Sequence, residues 1–293
     1  MQAEAAAPLY GLSGNAQRAH VLAILVLPAL GAAAAVLLAL TRGVTAFDLG
    51  LLAVTWLLAA IGIEVGFHRL FSHAAFDATP GLKVALAVLG TLTAQGPALY
   101  WAALHRHHHA NSDGANDPHS PVHKGFWHAH AGWMFDAPPP NLFEYVPELF
   151  ADRTLVRADR RYFFWLVLGL AIPTLLGAAW YGSLEGAGRG LLFGGVVRIF
   201  VAQHGIWCIN SFGHLVGTRP FASRDASRNV AWLAVPTLGG SLHNAHHAFP
   251  FTAKNAFRWY ELDPGYWVIR LFVLVGLANN VRVPNERMLA ERR

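Results

Sequence analysis

The stretch HVLAILVLPALGAAAAVLLAL, residues 20–40, holds no Asp, Glu, Lys or Arg and is built almost wholly of Leu, Val, Ala and Ile. A helix crosses the hydrocarbon core of a bilayer in about 20 such residues, so His20–Leu40 reads as a transmembrane span. The same pattern recurs at Ala46–Val65, Tyr162–Tyr181 and Leu191–Phe212. Composition agrees: 54% of the chain is hydrophobic and only 13% charged, against roughly 25% charged in an ordinary soluble domain. The expected fold is an all-α integral membrane protein of four transmembrane helices, with residues 1–293 forming a single domain.

Lys and Arg set the orientation. The connections Thr41–Thr45 and Gly182–Gly190 hold one Arg each, while basic residues crowd into 69–161 and 219–293. Such bias marks the cytoplasmic side. It places 66–161 and 213–293 inside as a helical cap, both short loops outside, and both termini in the cytoplasm. Three further apolar segments, Gly81–Ala94, Asn229–Thr237 and Tyr266–Leu277, are too short or interrupted to span and read as interfacial or re-entrant helices.

The remaining composition excludes several classes. The formal net charge of +5 suits a face lying on anionic lipid; no basic stripe interleaved with exposed aromatics supports nucleic-acid binding. Cys208 is the lone cysteine, so one chain holds neither an internal disulfide nor a Cys-ligated iron–sulfur cluster. No glycine-rich dinucleotide fingerprint follows a strand, and the first apolar run is too long for a cleavable signal peptide.

Sixteen histidines stand out in this greasy chain. HRLFSH carries His68 and His73, HRHHH carries His105, His107, His108 and His109, NSFGH joins Asn210 to His214, and HNAHH carries His243, His246 and His247. His105, His108 and His109 share the spacing H-x-x-H-H with His243, His246 and His247, which puts each triplet on one helix face. His68 and His73 differ. Five residues turn a regular helix through about 500°, so these two converge only if the helix unwinds near Arg69–Ser72. Packed imidazolium cations would repel one another, whereas neutral imidazoles around metal do not. One zinc takes three or four ligands and this array offers more, so two metals fit better. Imidazole suits zinc, copper, iron and nickel alike.

The set HRLFSH, HRHHH, NSFGH and HNAHH resembles the membrane fatty-acid desaturases, specifically the stearoyl-CoA type that introduces a double bond at carbon 9. The phrases QGPALYW, DPHSP, FWHAHAGWMF, NAHHAFP and DPGYWVIR resemble bacterial members, and the likeness runs from roughly Gly62 to Val283. The resemblance implies an O2-dependent enzyme of unsaturated fatty-acid biosynthesis in the bacterial inner membrane, with a di-iron centre. It implies His68, His73, His105, His109 and His246 as ligands of one iron. His108, His214, His243 and His247 then serve the other, with Asn210 reaching it through a water. His107 becomes a bystander, and His119, His123, His128 and His130 take hydrogen-bonding or interfacial roles. Gln95, Trp101 and Trp207 match the residues that shape a bent acyl tunnel. Electrons are expected from a ferredoxin, rubredoxin or reductase-type partner, since no cytochrome b5 module is recognisable in the chain.

The match departs from the acyl-CoA type at Gly96, Ala103 and Leu104, and at DAPPPN downstream. The acyl carrier is therefore open among CoA, acyl carrier protein and a membrane lipid. Glu64, one turn before His68, is expected to orient that imidazole, since carboxylates commonly hold metal-bound histidines. Gln203 and His204 are expected to act as partners around the centre or between helices, and Leu52 and Trp56 to close the tunnel. Two rivals remain: a hydroxylase on the same scaffold, and a non-catalytic metal-binding or transport protein. Transport would place ionisable groups deep within the spans, whereas these histidines, with His204 the chief exception, gather at the cytoplasmic span ends.

Overall fold

The computed structural model describes residues 14–293, so the expected placement of the N-terminus falls on residues outside the described ones. Among the described residues, four helices are long and apolar enough to cross a membrane: Arg18–Thr41, Ala46–Ser72, Tyr162–Tyr181 and Leu184–Phe212. Between and after them lie short helices, the longest being Pro80–Thr91, Ala98–Asn111 and Pro264–Leu274. The only sheet among the described residues pairs Asp77–Ala78 with Ala278–Asn279. The chain is thus helical and membrane-spanning. The segments at Gly81–Ala94 and Tyr266–Leu277 become helices of 12 and 11 residues. At 1.5 Å per residue these are about 18 Å long, too short for a core of about 30 Å. Asn229–Thr237 forms only a short 3-10 turn, Ala231–Leu233.

Two span boundaries differ from the sequence reading. The fourth span begins at Leu184 rather than Leu191, because Ser183 caps it, accepting from the Gly186 amide. Its glycine-rich start, LEGAGRG, looks like a loop by propensity. Those glycines instead let it cross the third span closely, with Gly186 and Gly190 against Gly177, as small residues do between membrane helices.

The second span runs on past Val65 to Ser72. It starts at a capping box, with Thr45 and Asp48 each accepting from the other's backbone amide. From Gly62 to Ser72 it widens into a π-helix whose residues are all buried. Hydrogen bonds in a π-helix reach five residues along, so positions five apart share a face; Ser72 Oγ accordingly donates to the Phe67 carbonyl at 2.8 Å. This corrects the expectation of unwinding near Arg69–Ser72: the helix brings His68 and His73 together by winding wider. Gly62 permits the close approach of this segment to Leu89 and Gly90 of the Pro80–Thr91 helix, whose backbone occupies the place a Cβ would need.

Two arginines lock the frame. Arg106, inside HRHHH, donates to the carbonyls of Phe71, Ser72 and Tyr145, tying the Ala98–Asn111 helix to the end of the second span. Arg198, fully buried in the fourth span, donates to the Leu92 carbonyl beyond the end of Pro80–Thr91 and to the Gly169 carbonyl of the third span.

Candidate metal centre

The π-segment, the Ala98–Asn111 helix, the end of the fourth span and the short helix His243–Ala248 converge, and each presents imidazoles to one place. His68, His73, His105 and His246 form one group, with His109 meeting it through His246; His108, His214, His243 and His247 form the other. Within each of these two four-histidine groups the candidate ligand atoms lie within 4.8 Å of one another. The nearest Nε2 pairs are 2.8 Å apart for His73 and His105, 2.8 Å for His109 and His246, 3.0 Å for His68 and His246, and 3.1 Å for His214 and His243. Donors on metal–nitrogen bonds of about 2.1 Å at right angles stand about 3.0 Å apart.

Carboxylates fix four of the rings. His68 Nδ1–H donates to Glu64 at 3.1 Å, His108 to Asp117 at 2.9 Å, His214 to Asp113 at 2.8 Å, and His247 to Asp225 at 2.6 Å. A proton held on Nδ1 leaves the Nε2 lone pair facing the centre. The Nε2 atoms of His108 and His247 are buried there without a hydrogen-bond partner, which a buried polar atom tolerates poorly unless something else binds it. Burial also pushes His73, His105, His109, His243 and His246 well below the usual imidazole range. Burial likewise lowers His247, to about 4, outweighing its bond to Asp225. Neutral imidazole is the form that binds a cation. The residues fit a pair of metal ions.

Beside this centre lies a cavity of about 480 Å³, lined by Gln95, Trp101, Trp207 and Asn210 and touching His105. That is the size range of small-ligand sites. Trp101 stacks on His105, with ring centroids 5.0 Å apart and planes 15° apart, so the cavity wall and the histidine group share a face. Gln95 sits between two left-handed residues, Ala94 at φ 56° and Gly96 at φ 92°, a conformation that favours glycine. Gly96 is thus suited to the turn that presents Gln95. Leu52 and Trp56 do not line this cavity. Trp56 faces a separate, small space beside Glu64, and Leu52 packs with Phe193 and Val197.

The other histidines separate as expected, with one difference. His107 stacks on Tyr145 and joins neither metal group. His123 Nε2 lies 2.7 Å from the Asp113 carbonyl and His128 Nε2 3.2 Å from that of Pro118. His130 bridges Ser211 and His204, making His204 an inter-helix partner; Gln203 is buried, its amide nitrogen without a partner. The difference is His119, whose ring lies 4.3 Å from that of His108 and which lines the cavity. Sequence reasoning found Glu64 but missed Asp113, Asp117 and Asp225. Burial alone would raise the Asp113 carboxyl, but its hydrogen bond from His214 prevails and holds it at about 2.

Comparison with known proteins settles the family. The profile of the fatty acid desaturase family matches residues 46–274. The chain belongs to that family. It is 42% identical over 288 residues to the hex-5-enoyl-[acyl-carrier protein] acetylenase of Moorena producens (strain JHB), covering 94% of this chain and 90% of that one. It is 36% identical over 233 residues to the sn-2 palmitoyl-lipid 9-desaturase of Nostoc sp. (strain 36), covering 77% and 78%. To acyl-CoA desaturase 1 of Saccharomyces cerevisiae it is 34% identical over 234 residues, 79% of this chain and 45% of the yeast protein. Desaturases and acetylenases are oxidoreductases acting on acyl chains, and this desaturase-family chain is an enzyme of that kind.

Proposed function

We propose that the chain is an O2-dependent desaturase that removes two hydrogens from a saturated acyl chain, at carbon 9, to leave a cis double bond. The observation that carries this reading is the pair of histidine groups set against a cavity whose wall, Trp101, lies on His105. His68, His73, His105, His109 and His246 would hold one iron. His108, His214, His243 and His247 would hold the other, with Asn210 acting through a water. When bound, the two irons supply the oxidising power that no amino-acid side chain has against an unactivated C–H bond. The balance is one O2, two electrons and two protons consumed for each two hydrogens removed, with two waters formed.

The chain's own residues do the rest. Gln95, Trp101 and Trp207 shape the cavity and set which carbon lies at the centre; holding that carbon in place and excluding water lowers the barrier. The Nδ1–carboxylate bonds keep the imidazoles oriented. Electrons come from a separate ferredoxin- or rubredoxin-type donor and its reductase, docking on the basic side of a protein with 22 Lys and Arg against 17 Asp and Glu. That side is read as the cytoplasmic face of a bacterial inner membrane, with both termini there.

For the acyl carrier we favour a carrier protein. A relative that spans nearly the whole chain is named for a carrier-protein substrate. The exposed Arg160 lines the cavity in a stretch that also exposes Arg153, Arg157 and Arg161, suited to an anionic carrier arm. Expression in a host lacking its own desaturase tests the reading. Fatty-acid analysis should reveal a new monounsaturated chain that His246→Ala abolishes without loss of folded protein. Wild-type product from that variant would refute the metal assignment.

A further inference from the structure

The two histidine groups are not matched in the charge behind them. In the group His108, His214, His243 and His247, three of the four rings donate to a carboxylate: Asp117, Asp113 and Asp225. Among the described residues, the ion-pair partners of these three carboxylates are histidines, with no Lys or Arg within 4.0 Å. They are held instead by neutral donors: the Ala226 amide and the Ser120 hydroxyl donate to Asp113, the Ser227 amide to Asp225, and the His119 and Asp113 amides to Asp117. Three carboxylates therefore stand one imidazole away from this position, and the Arg219 guanidinium meets Asp225 at its main-chain carbonyl rather than at its carboxylate.

Among His68, His73, His105, His109 and His246, His68 alone has a carboxylate behind it, Glu64. The other oxygen of Glu64 accepts from Arg69 at 3.0 Å, and Arg69 also pairs with Asp263. Two carboxylates and one guanidinium leave one net negative charge, against three on the other side. Buried charges are weakly screened, and their pull on a cation falls only with the first power of distance. Rings without an anchoring carboxylate must also be oriented when the ion arrives.

We infer that the two positions load and empty in order. The position of His108, His214, His243 and His247 takes its divalent cation first and holds it longer. Asp113, Asp117 and Asp225 are the positioning residues that set this order, and the five-histidine position is the exchangeable one despite its extra ligand. This inference deepens the two-metal reading above and rests on it.

The test uses the full-length chain loaded with Co2+ in lipid nanodiscs and follows release of the ion to a chelator by its absorption spectrum. The expected result is two ions per chain, one leaving at least about tenfold faster than the other. Asp225→Asn and Asp117→Asn should each speed the slow phase by about 10–100-fold and leave the fast phase unchanged. Glu64→Gln should speed the fast phase alone. His73→Ala should leave one ion that departs at the wild-type slow rate with the wild-type slow-phase spectrum. Release of both ions in a single phase would overturn the order. So would equal acceleration of both phases by Asp225→Asn, or loss of the slow ion in His73→Ala. A wild-type chain that binds fewer than two ions would instead overturn the two-metal reading itself.

Discussion

Arg69 is enclosed by two carboxylates: its Nε lies 3.0 Å from Glu64 Oε1 and its terminal nitrogen 2.8 Å from Asp263 Oδ1. It also donates to the carbonyls of Ala253 and Leu238, so one side chain ties the π-segment to the loops on either side of the His243–Ala248 helix. Its guanidinium is almost wholly buried. Removing one partner of a buried ion pair costs about 3–5 kcal/mol because the other charge is left unpaired. Arg69→Met should lower stability by that order, measured as thermal unfolding in detergent. An unchanged midpoint would remove Arg69 from the scaffold of the site.

Trp101 links the cavity to the histidines through its stack on His105. Trp101→Ala should leave metal content unchanged and loosen the placement of the acyl chain. A displacement of about 1 Å can cost roughly 100-fold in rate. The expected outcome is a large fall in turnover together with a mixture of double-bond positions in the product. A single product isomer at wild-type rate would show that Trp101 merely packs.

Gly62 lies against the backbone of Gly90 and Leu89. A Cβ there forces the π-segment away from its neighbour, an overpacking cost of about 1–3 kcal/mol. Gly62→Val should therefore lose both stability and metal, because His68 and His73 move with the segment. Full metal content in a stably folded Gly62→Val protein would contradict the placement.

The metal-free protein should lose stability in acid. Imidazoles are protonated in the unfolded chain below about pH 6.5, while burial keeps His73, His105, His109, His243 and His246 neutral well below that and His247 neutral to about 4. A depressed folded pKa gives stability that is full above the unfolded value and is lost as pH falls through the folded one. His108, raised because Asp117 outweighs burial, works in the opposite direction but is outnumbered. Stripping the metal should lower the unfolding midpoint, and the apo midpoint should fall further from pH 7.5 to pH 5.5. An apo midpoint that rises on acidification would contradict the neutral cluster.

The spans and the clustering of the histidines were legible because each leaves a local pattern. Leu, Val and Ala runs spell a membrane helix, and H-x-x-H-H puts His105, His108 and His109 on one face of Ala98–Asn111. What stayed hidden depends on tertiary packing. The π-winding of Gly62–Ser72 has no period that separates it from an α-helix, so the meeting of His68 and His73 could be set only as a condition. Asp113 and Asp225 reach their histidines across 101 and 22 residues, distances over which no spacing rule speaks. Asp117 was nearer to view, nine residues from His108 in an acid-poor chain. Trp56 looked suited to close a tunnel by its position in the span, but the face it presents is turned elsewhere.

The central claim is that the centre dehydrogenates an acyl chain. Its most direct test is the mass of the product formed by the purified, iron-loaded protein from a saturated acyl-carrier-protein substrate with O2 and a reduced ferredoxin. The account predicts a product lighter than the substrate by two hydrogen atoms, with a cis double bond. A product heavier by one oxygen atom would instead identify a hydroxylase and contradict it.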